Sequence, residues 1–333
     1  MWVKKPHRVS CCTVCLAVLW FSQTTALRAE WFNDERTLMG TQVRIELWAD
    51  NALQARPAIS AALAEIARID AAMSVYRDDS EVSQLNQHAA KAPVRISAEL
   101  FELLERAIGV FELTEGAFDI TYAAAGVLYD FRDAQRPDEQ ALGQALQSVG
   151  SQRLLLDHGS RSVFFSQPGV RIDLGGIAKG YAVERATAAL QRRGIHHALI
   201  TAGGDSRFLG DRRGRPWRIG IRDPRNLERS AALLSIADEA ISTSGDYERF
   251  FVEDGIRYHH ILDPTTGRSS QAVTSVSVIG PDATITDALA TGLFVLGVTK
   301  GKNTLKKFPA YDAIFIDRQG SLHVSKNVSK LSD

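Results

Sequence analysis

Between residues 198 and 262 the chain alternates short apolar runs with turn residues seven times, over residues 198–201, 206–210, 217–222, 231–236, 240–242, 250–253 and 258–262. The connections are too short to hold crossover helices, and Asp211-Arg212-Arg213-Gly214 and Glu253-Asp254-Gly255 are turn sequences. Strands joined in this way pair antiparallel. That pattern excludes a repeated βαβ winding and, with it, a dinucleotide-binding domain. No G-x-G-x-x-G follows the first strand, and Gly203-Gly204-Asp205 precedes another strand, not a helix.

Helical and strand periods flank this region. Val43, Ile45 and Leu47 alternate with polar neighbours as in a half-buried strand. After a break at Asp50 and Pro57, residues 58–73 place Ile59, Leu63, Ile66 and Ile69 on one helical face. Residues 97–113 predict a second helix, with Ser97 as its cap and Leu100, Leu104, Ile108 and Phe111 as its stripe. A short helix over 137–149 and strands over 153–157 and 162–166 follow, and a strand over 275–279 leads to a helix over 283–296. The fold class is α+β, with mixed, largely antiparallel sheets flanked by helices. Residues 30–333 read as a single domain, built as one intertwined unit or as two lobes.

The N-terminus is a separate object. Lys4, Lys5 and Arg8 precede an apolar run over 9–21, and small residues follow at Thr24, Ala26 and Ala29. This is the pattern of a signal peptide over residues 1–29, cleaved after Ala26 or Ala29. The run is shorter than the roughly 20 residues that span a bilayer. Cys11, Cys12 and Cys15 all lie within it, so the mature chain would enter an oxidising compartment without thiols. A lipid anchor at Cys15 is the alternative, and periplasmic location the expectation. Cleavage removes Lys4, Lys5, Arg8 and Arg28 and no acid, leaving a slightly acidic chain that argues against nucleic acid as partner.

Three stretches carry candidate chemistry. Residues 171–182, RIDLGGIAKGYA, predict a short strand ending in Asp173, a turn through Gly175 and Gly176, and a helix from about Ile177 that carries Lys179. A carboxylate, glycines that admit a ligand to the backbone and a lysine one turn later suit a phosphate-bearing ligand, and also make an ordinary strand-to-helix turn. In the helix over 283–296, Asp287 and Thr291 are four apart and share a face, so carboxylate and hydroxyl could meet one Mg²⁺. The same spacing also serves an acid near a helix start and a packing threonine. His259 and His260 precede an Asp263-Pro264-Thr265-Thr266-Gly267 turn, and adjacent strand residues face opposite sides. Ser244, Gly245 and Asp246 form a hydroxyl and glycine turn able to hold phosphate or ribose, or simply to reverse the chain.

Taken in order, GAFDIT over 116–121, DLGGIAKGY, ISTSGDYERF with YHHILDPTTG over 241–267, and TDALATGLFVLG over 286–297 resemble the ApbE family of FAD:protein FMN transferases. The resemblance covers residues 38–297. It implies an ApbE-like, T-fold-like architecture and Mg²⁺-dependent transfer of FMN from FAD to a Ser or Thr hydroxyl of an acceptor protein, with release of AMP. It implies a metal site of Asp287, Thr291 and the carbonyl of Gly176, with Ala290 where some relatives carry a second acid. Contacts to FAD fall on Met39, Tyr76, Ala117, Phe118, Asp119, Asp173, Lys179, Ser244, Gly245, Asp246 and Leu262. His260 falls next to the reacting phosphate, where an imidazole of ordinary pKa, about 6.5, could take a hydroxyl proton. Tyr129 and Asp130 depart from a Trp-Gly-Phe-like signature. The acceptor would be a flavoprotein with a D-G-x-[ST]-G-[AS]-[ST]-like motif, which this chain lacks. An FAD pyrophosphatase giving FMN and AMP, and a non-enzymatic periplasmic flavin-binding protein, are the rival readings; the oligomeric state is open.

Overall fold

The computed structural model describes residues 1–2 and 29–325. The predicted signal peptide and its cysteines fall almost wholly outside the described residues. In chain order the elements are β1 (Glu30–Leu38), β2 (Thr41–Ala49), α1 (Ala52–Met73), α2 (Glu81–His88), β3 (Val94–Arg95), α3 (Ala98–Leu113), α4 (Ala123–Gly126), α5 (Glu139–Leu146), β4 (Leu154–Asp157), β5 (Ser162–Phe165) and α6 (Ala178–Gln191). There follow β6 (Ala198–Ala202), β7 (Asp205–Leu209), β8 (Trp217–Asp223), β9 (Asn226–Ile236), β10 (Ala240–Gly245), β11 (Phe250–Glu253), β12 (Ile256–His259), β13 (Ser275–Gly280), α7 (Ala283–Leu305), β14 (Asp312–Ile316) and β15 (Leu322–Val324).

An eight-stranded antiparallel sheet, ordered β1-β2-β6-β7-β10-β13-β14-β15, forms the frame. Strands β7, β10, β13 and β14 contribute alternate residues to two cores. On β14, Ala313 and Phe315 join the core beneath α1, α6 and α7, while Ile314 and Ile316 join a second core with Trp217, Ile221, Leu234 and Ile236 of the β8–β9 hairpin. The sheet is therefore covered on both faces, and strands covered twice read as unbroken apolar runs. Seven strands form in this region, but the last, expected over 258–262, runs from Ile256 to His259 and leaves His260, Ile261 and Leu262 outside it. The β11–β12 hairpin turns on Asp254 (φ 50°) and Gly255 (φ 76°), the positive-φ pair that matches strand twist.

Several boundaries differ from expectation. Helix α1 begins six residues early because Asn51 caps it, its side chain accepting from the Gln54 N–H at 3.0 Å. Pro57 is tolerated inside: the carbonyl it leaves unmatched belongs to Leu53, which is 81% exposed and open to water. The deep stripe of α3 is Leu100, Leu103, Leu104, Ala107 and Val110; Ile108 and Phe111 lie at its margin. Strand β1 is polar and at the sheet edge, so it carries no alternating signal of its own, and β14 and β15 extend the sheet past the expected last strand. Helix α7 runs nine residues past its expected end through a kink at Gly297 (φ 71°). Among the described residues, no helix is long and apolar enough to cross a membrane.

Candidate active site

The start of α7 is fixed by its cap. Asp282 accepts from the Thr284 N–H at 2.8 Å, and Arg106 holds its other oxygen at 2.6 Å. One turn further, Asp287 enters the interface with α6 and is 3% exposed. Its Oδ2 accepts the Gly180 N–H at 2.9 Å, and its Oδ1 stands 3.6 Å from Lys179 Nζ. Lys179 makes its closer pair with Asp205, the first residue of β7, which is 2% exposed. Burial and the Asp205 carboxylate push Asp287 upward from the usual carboxylate range. Burial alone would discharge Lys179, but the two acids outweigh it and hold the ammonium protonated.

The face shared by Asp287 and Thr291 meets the sheet and the Asp173 turn. Thr291 Oγ1 lies 3.3 Å from Ser244 Oγ on β10. A Cβ built on Gly176 would sit 3.2 Å from Thr291 Oγ1 and 3.3 Å from Phe118 Cε2, so the turn, the helix and the buried Phe118 ring are in immediate contact. Phe118, Gly176, Lys179, Ser244, Asp287 and Thr291 are thus assembled in one place. Below them Ser242 Oγ and Thr286 Oγ1 are 2.8 Å apart and tie β10 to α7.

The strand expected to end in Asp173 does not form. The side chain of Asn86 takes the place of a neighbouring strand, accepting from the Ile172 N–H at 2.8 Å and donating to the Ile172 carbonyl at 2.9 Å. Asp173 is half-buried, accepts the Gly175 N–H at 2.7 Å and receives the Tyr122 hydroxyl; desolvation raises its pKa against these bonds. Arg249 lends its charge to Asp173 and also governs His260. The His260 N–H donates to the Arg249 carbonyl at 3.1 Å, and ring Nδ1 lies 3.3 Å from the same oxygen. Burial, then Arg249, His259 and Lys179, lower His260 to about 4, well below the ordinary value expected from sequence. His259 is a core residue: its Nε2 meets the Ser270 carbonyl at 2.7 Å and its ring packs edge-on against Phe294.

The remaining predicted residues play varied parts. Asp119 is buried with every bond directed inward, accepting from Thr121 N–H (2.8 Å), Thr121 Oγ1 (2.7 Å), Ser151 N–H (3.1 Å) and Ser151 Oγ (2.7 Å). It fixes the loop that holds the buried Ala117 and Phe118. Asp246 is held by a two-pronged pair with Arg225 at 2.8 and 2.7 Å. Gly245 leaves room for the Tyr247 ring, where a Cβ would lie 2.7 Å from Tyr247 Cζ. Met39 takes a positive φ in the β1–β2 turn and donates its N–H to Asp70 at 3.2 Å. Tyr76 is 82% exposed in the α1–α2 loop, and Leu262 is buried facing Gly126. Tyr129, at the departure from the signature, donates its hydroxyl to the Gly267 carbonyl at 2.9 Å, and Asp130 caps a local turn.

Sequence reasoning missed Asp205, Tyr122 and Arg249. Gly203-Gly204-Asp205 served only to exclude a dinucleotide turn, yet the glycines mark a close approach, since a Cβ on Gly204 would lie 2.8 Å from the Thr243 carbonyl. A separate cavity of about 530 Å³ is lined by Glu65, Arg68, Glu99, Tyr181 and Arg185, whose charges are spent on one another.

A buried carboxylate, two hydroxyls and a glycine turn thus come together beside a lysine, where α6, α7 and β10 meet. The sequence model of the ApbE family matches residues 39–315, and the chain belongs to that family. It is 36% identical over 313 residues to the FAD:protein FMN transferase of Treponema pallidum (strain Nichols), covering 87% of this chain and 85% of the relative. The corresponding enzyme of Vibrio cholerae serotype O1 is 39% identical over 236 residues, covering 69% and 70%. Among solved structures, the ApbE protein from Thermotoga maritima superposes with a TM-score of 0.83 at 34% identity, over 89% of this chain and 97% of that one. The flavin transferase ApbE from Vibrio cholerae superposes with a TM-score of 0.81 at 31% identity, over 90% and 98%.

Proposed function

We propose that this chain is an exported, Mg²⁺-dependent FAD:protein FMN transferase that joins the FMN of FAD to a Ser or Thr hydroxyl of an acceptor protein and releases AMP. The observation that carries this reading is the convergence of Asp287, Thr291, Ser244, Gly176 and Lys179 at the contact of α6, α7 and β10. The donors are oxygens with a single carboxylate, and among the described residues no three His, Cys, Asp or Glu side chains gather as a metal cluster. Such a set suits Mg²⁺, which keeps waters and takes further oxygens from phosphates. Asp287, Thr291 and the Gly176 carbonyl would hold the ion, which when bound neutralises charge on the pyrophosphate.

The chain's own groups account for the rest. Gly176, lacking a side chain, lets the turn sit directly against Thr291, so that its carbonyl could join that hydroxyl at one ion. With Nδ1–H donated to the Arg249 carbonyl, His260 leaves Nε2 to accept the proton of the attacking hydroxyl. The acceptor oxygen forms its bond to the FMN phosphorus as the bond to the AMP oxygen breaks. The low proton affinity of His260 keeps it unprotonated at neutral pH and makes it a weaker base than an ordinary imidazole.

The test supplies a domain carrying a D-G-x-[ST]-G-[AS]-[ST] motif, and the same domain with the final hydroxyl residue changed to Ala, together with FAD and Mg²⁺. Flavin mass on the first and none on the second is expected. Free FMN and AMP with neither domain modified would make the enzyme a pyrophosphatase. Export is tested by N-terminal sequencing of the secreted protein, which should begin after Ala26 or Ala29; retention of Cys11–Cys15 would overturn it.

A further inference from the structure

We infer that Asp205 is a positioning residue for the cation site: it holds the Lys179 ammonium to one side and so keeps Asp287 open to a divalent cation. The inference rests on the metal reading above. Asp287 has one committed oxygen, Oδ2, which accepts the Gly180 N–H, and one available oxygen, Oδ1. Lys179 Nζ is hydrogen-bonded to Asp205 Oδ2 and stands 3.6 Å from Asp287 Oδ1, an ion-pair distance but beyond hydrogen-bond length. An ammonium and a divalent cation would compete for the same atom.

Asp205 can restrain the lysine because its own position is set by the sheet. It pairs with Ala202 across the β6–β7 turn and with Ser242 on β10, and that turn fits against Thr243 only because residue 204 has no side chain. Lys179 is less constrained, with 31% of its side chain exposed. Charge counting reaches the same conclusion. With Asp287 ionised, as a bound cation would make it, two carboxylates and one ammonium leave one negative charge facing that cation. Without the Asp205 charge, Lys179 and Asp287 neutralise each other and nothing is left over.

The experiment follows the rise in unfolding temperature as Mg²⁺ is titrated into the full protein with FAD present and no acceptor. Asp205→Asn should need about tenfold more Mg²⁺ or beyond, the range seen when outer partners of metal ligands are removed. The double variant Asp205→Asn/Lys179→Met restores one unopposed charge on Asp287 and should regain most of the lost response. If Asp205→Asn responds like the wild type, or the double variant stays as weak as the single one, the inference is overturned. Should Asp205→Asn fail to fold, Lys179→Met alone decides: it should respond at lower Mg²⁺ than the wild type, and a weaker response would refute the competition. A wild-type protein with no response at all would sink the metal reading itself, and the inference with it.

Discussion

Gly180 and Asp287 are in such close contact that the absence of one side chain makes room for the other. The Gly180 N–H donates to Asp287 Oδ2 at 2.9 Å, and a Cβ on residue 180 would lie 2.7 Å from the Asp287 Cβ. Neither helix can retreat freely, since α6 is buried along Ala178, Ala182, Val183 and Ala186. Gly180→Ala should therefore force α6 and α7 apart, costing about 1–3 kcal/mol as overpacked sites do. Chemical denaturation should show the loss, and the Mg²⁺ requirement for turnover should rise with it.

Asp287→Ala should abolish Mg²⁺-dependent FMN transfer, because it removes the single carboxylate of the oxygen set. Thr291→Val removes one neutral ligand and should act more mildly, raising the Mg²⁺ needed for half-maximal rate. Transfer measured over a Mg²⁺ series separates the two. Full activity of Asp287→Ala at ordinary Mg²⁺ would refute the assignment.

His260→Ala should lose transfer by roughly 10²–10⁴-fold, the usual range for a general base, with FAD affinity little changed. The pH dependence has a defined sign. His260 is held to about 4 in the fold by burial, Arg249, His259 and Lys179, against about 6.5 when unfolded. Transfer should not lose its base between pH 7 and 5, where an ordinary imidazole would protonate. Stability should move the other way: between about 6.5 and 4 the unfolded chain binds the proton and the fold does not, so unfolding free energy falls as pH falls. His259, also lowered by burial, adds to the same slope. A wild-type rate that halves near pH 6.5 would contradict the lowered proton affinity of His260.

Asp119 is expected to matter through the loop it pins. Asp119→Ala strands four donors around a buried space and should cost roughly 2–4 kcal/mol in urea unfolding. Asp119→Asn keeps one acceptor oxygen and should lose less. If FAD affinity collapsed in Asp119→Asn while stability held, the carboxylate would be a direct flavin contact instead.

Much of this was legible in the chain. Turn residues and alternation gave all seven strands between 198 and 262, and Ser97 marked its helix start to the residue. Helical spacing put Asp287 and Thr291 on one face of α7, and the Ser244 hydroxyl lies 3.3 Å from that of Thr291. What escaped has physical causes. Asn86 replaces a strand partner for Ile172 from 86 positions away, which no local pattern encodes. Asp205 looks like any acid after a glycine pair until β7 is laid beside α6. The lowered proton affinity of His260 depends on Arg249 and on burial, neither of which is a property of the His-His-Ile-Leu sequence.

The register of the large sheet also bears on when the molecule can form. Strand β2 lies against β6, with Val43 opposite Ala202, and β10 is closed by β13 and then β14 from near the chain's end. Pairings of such long sequence separation make for slow folding. The N-terminal hairpin must wait for most of the polypeptide to be synthesised before its second strand finds a neighbour. Until then β2 has only β1 beside it, and the Asp287 site, which needs α7 from the last fifth of the chain, is not assembled.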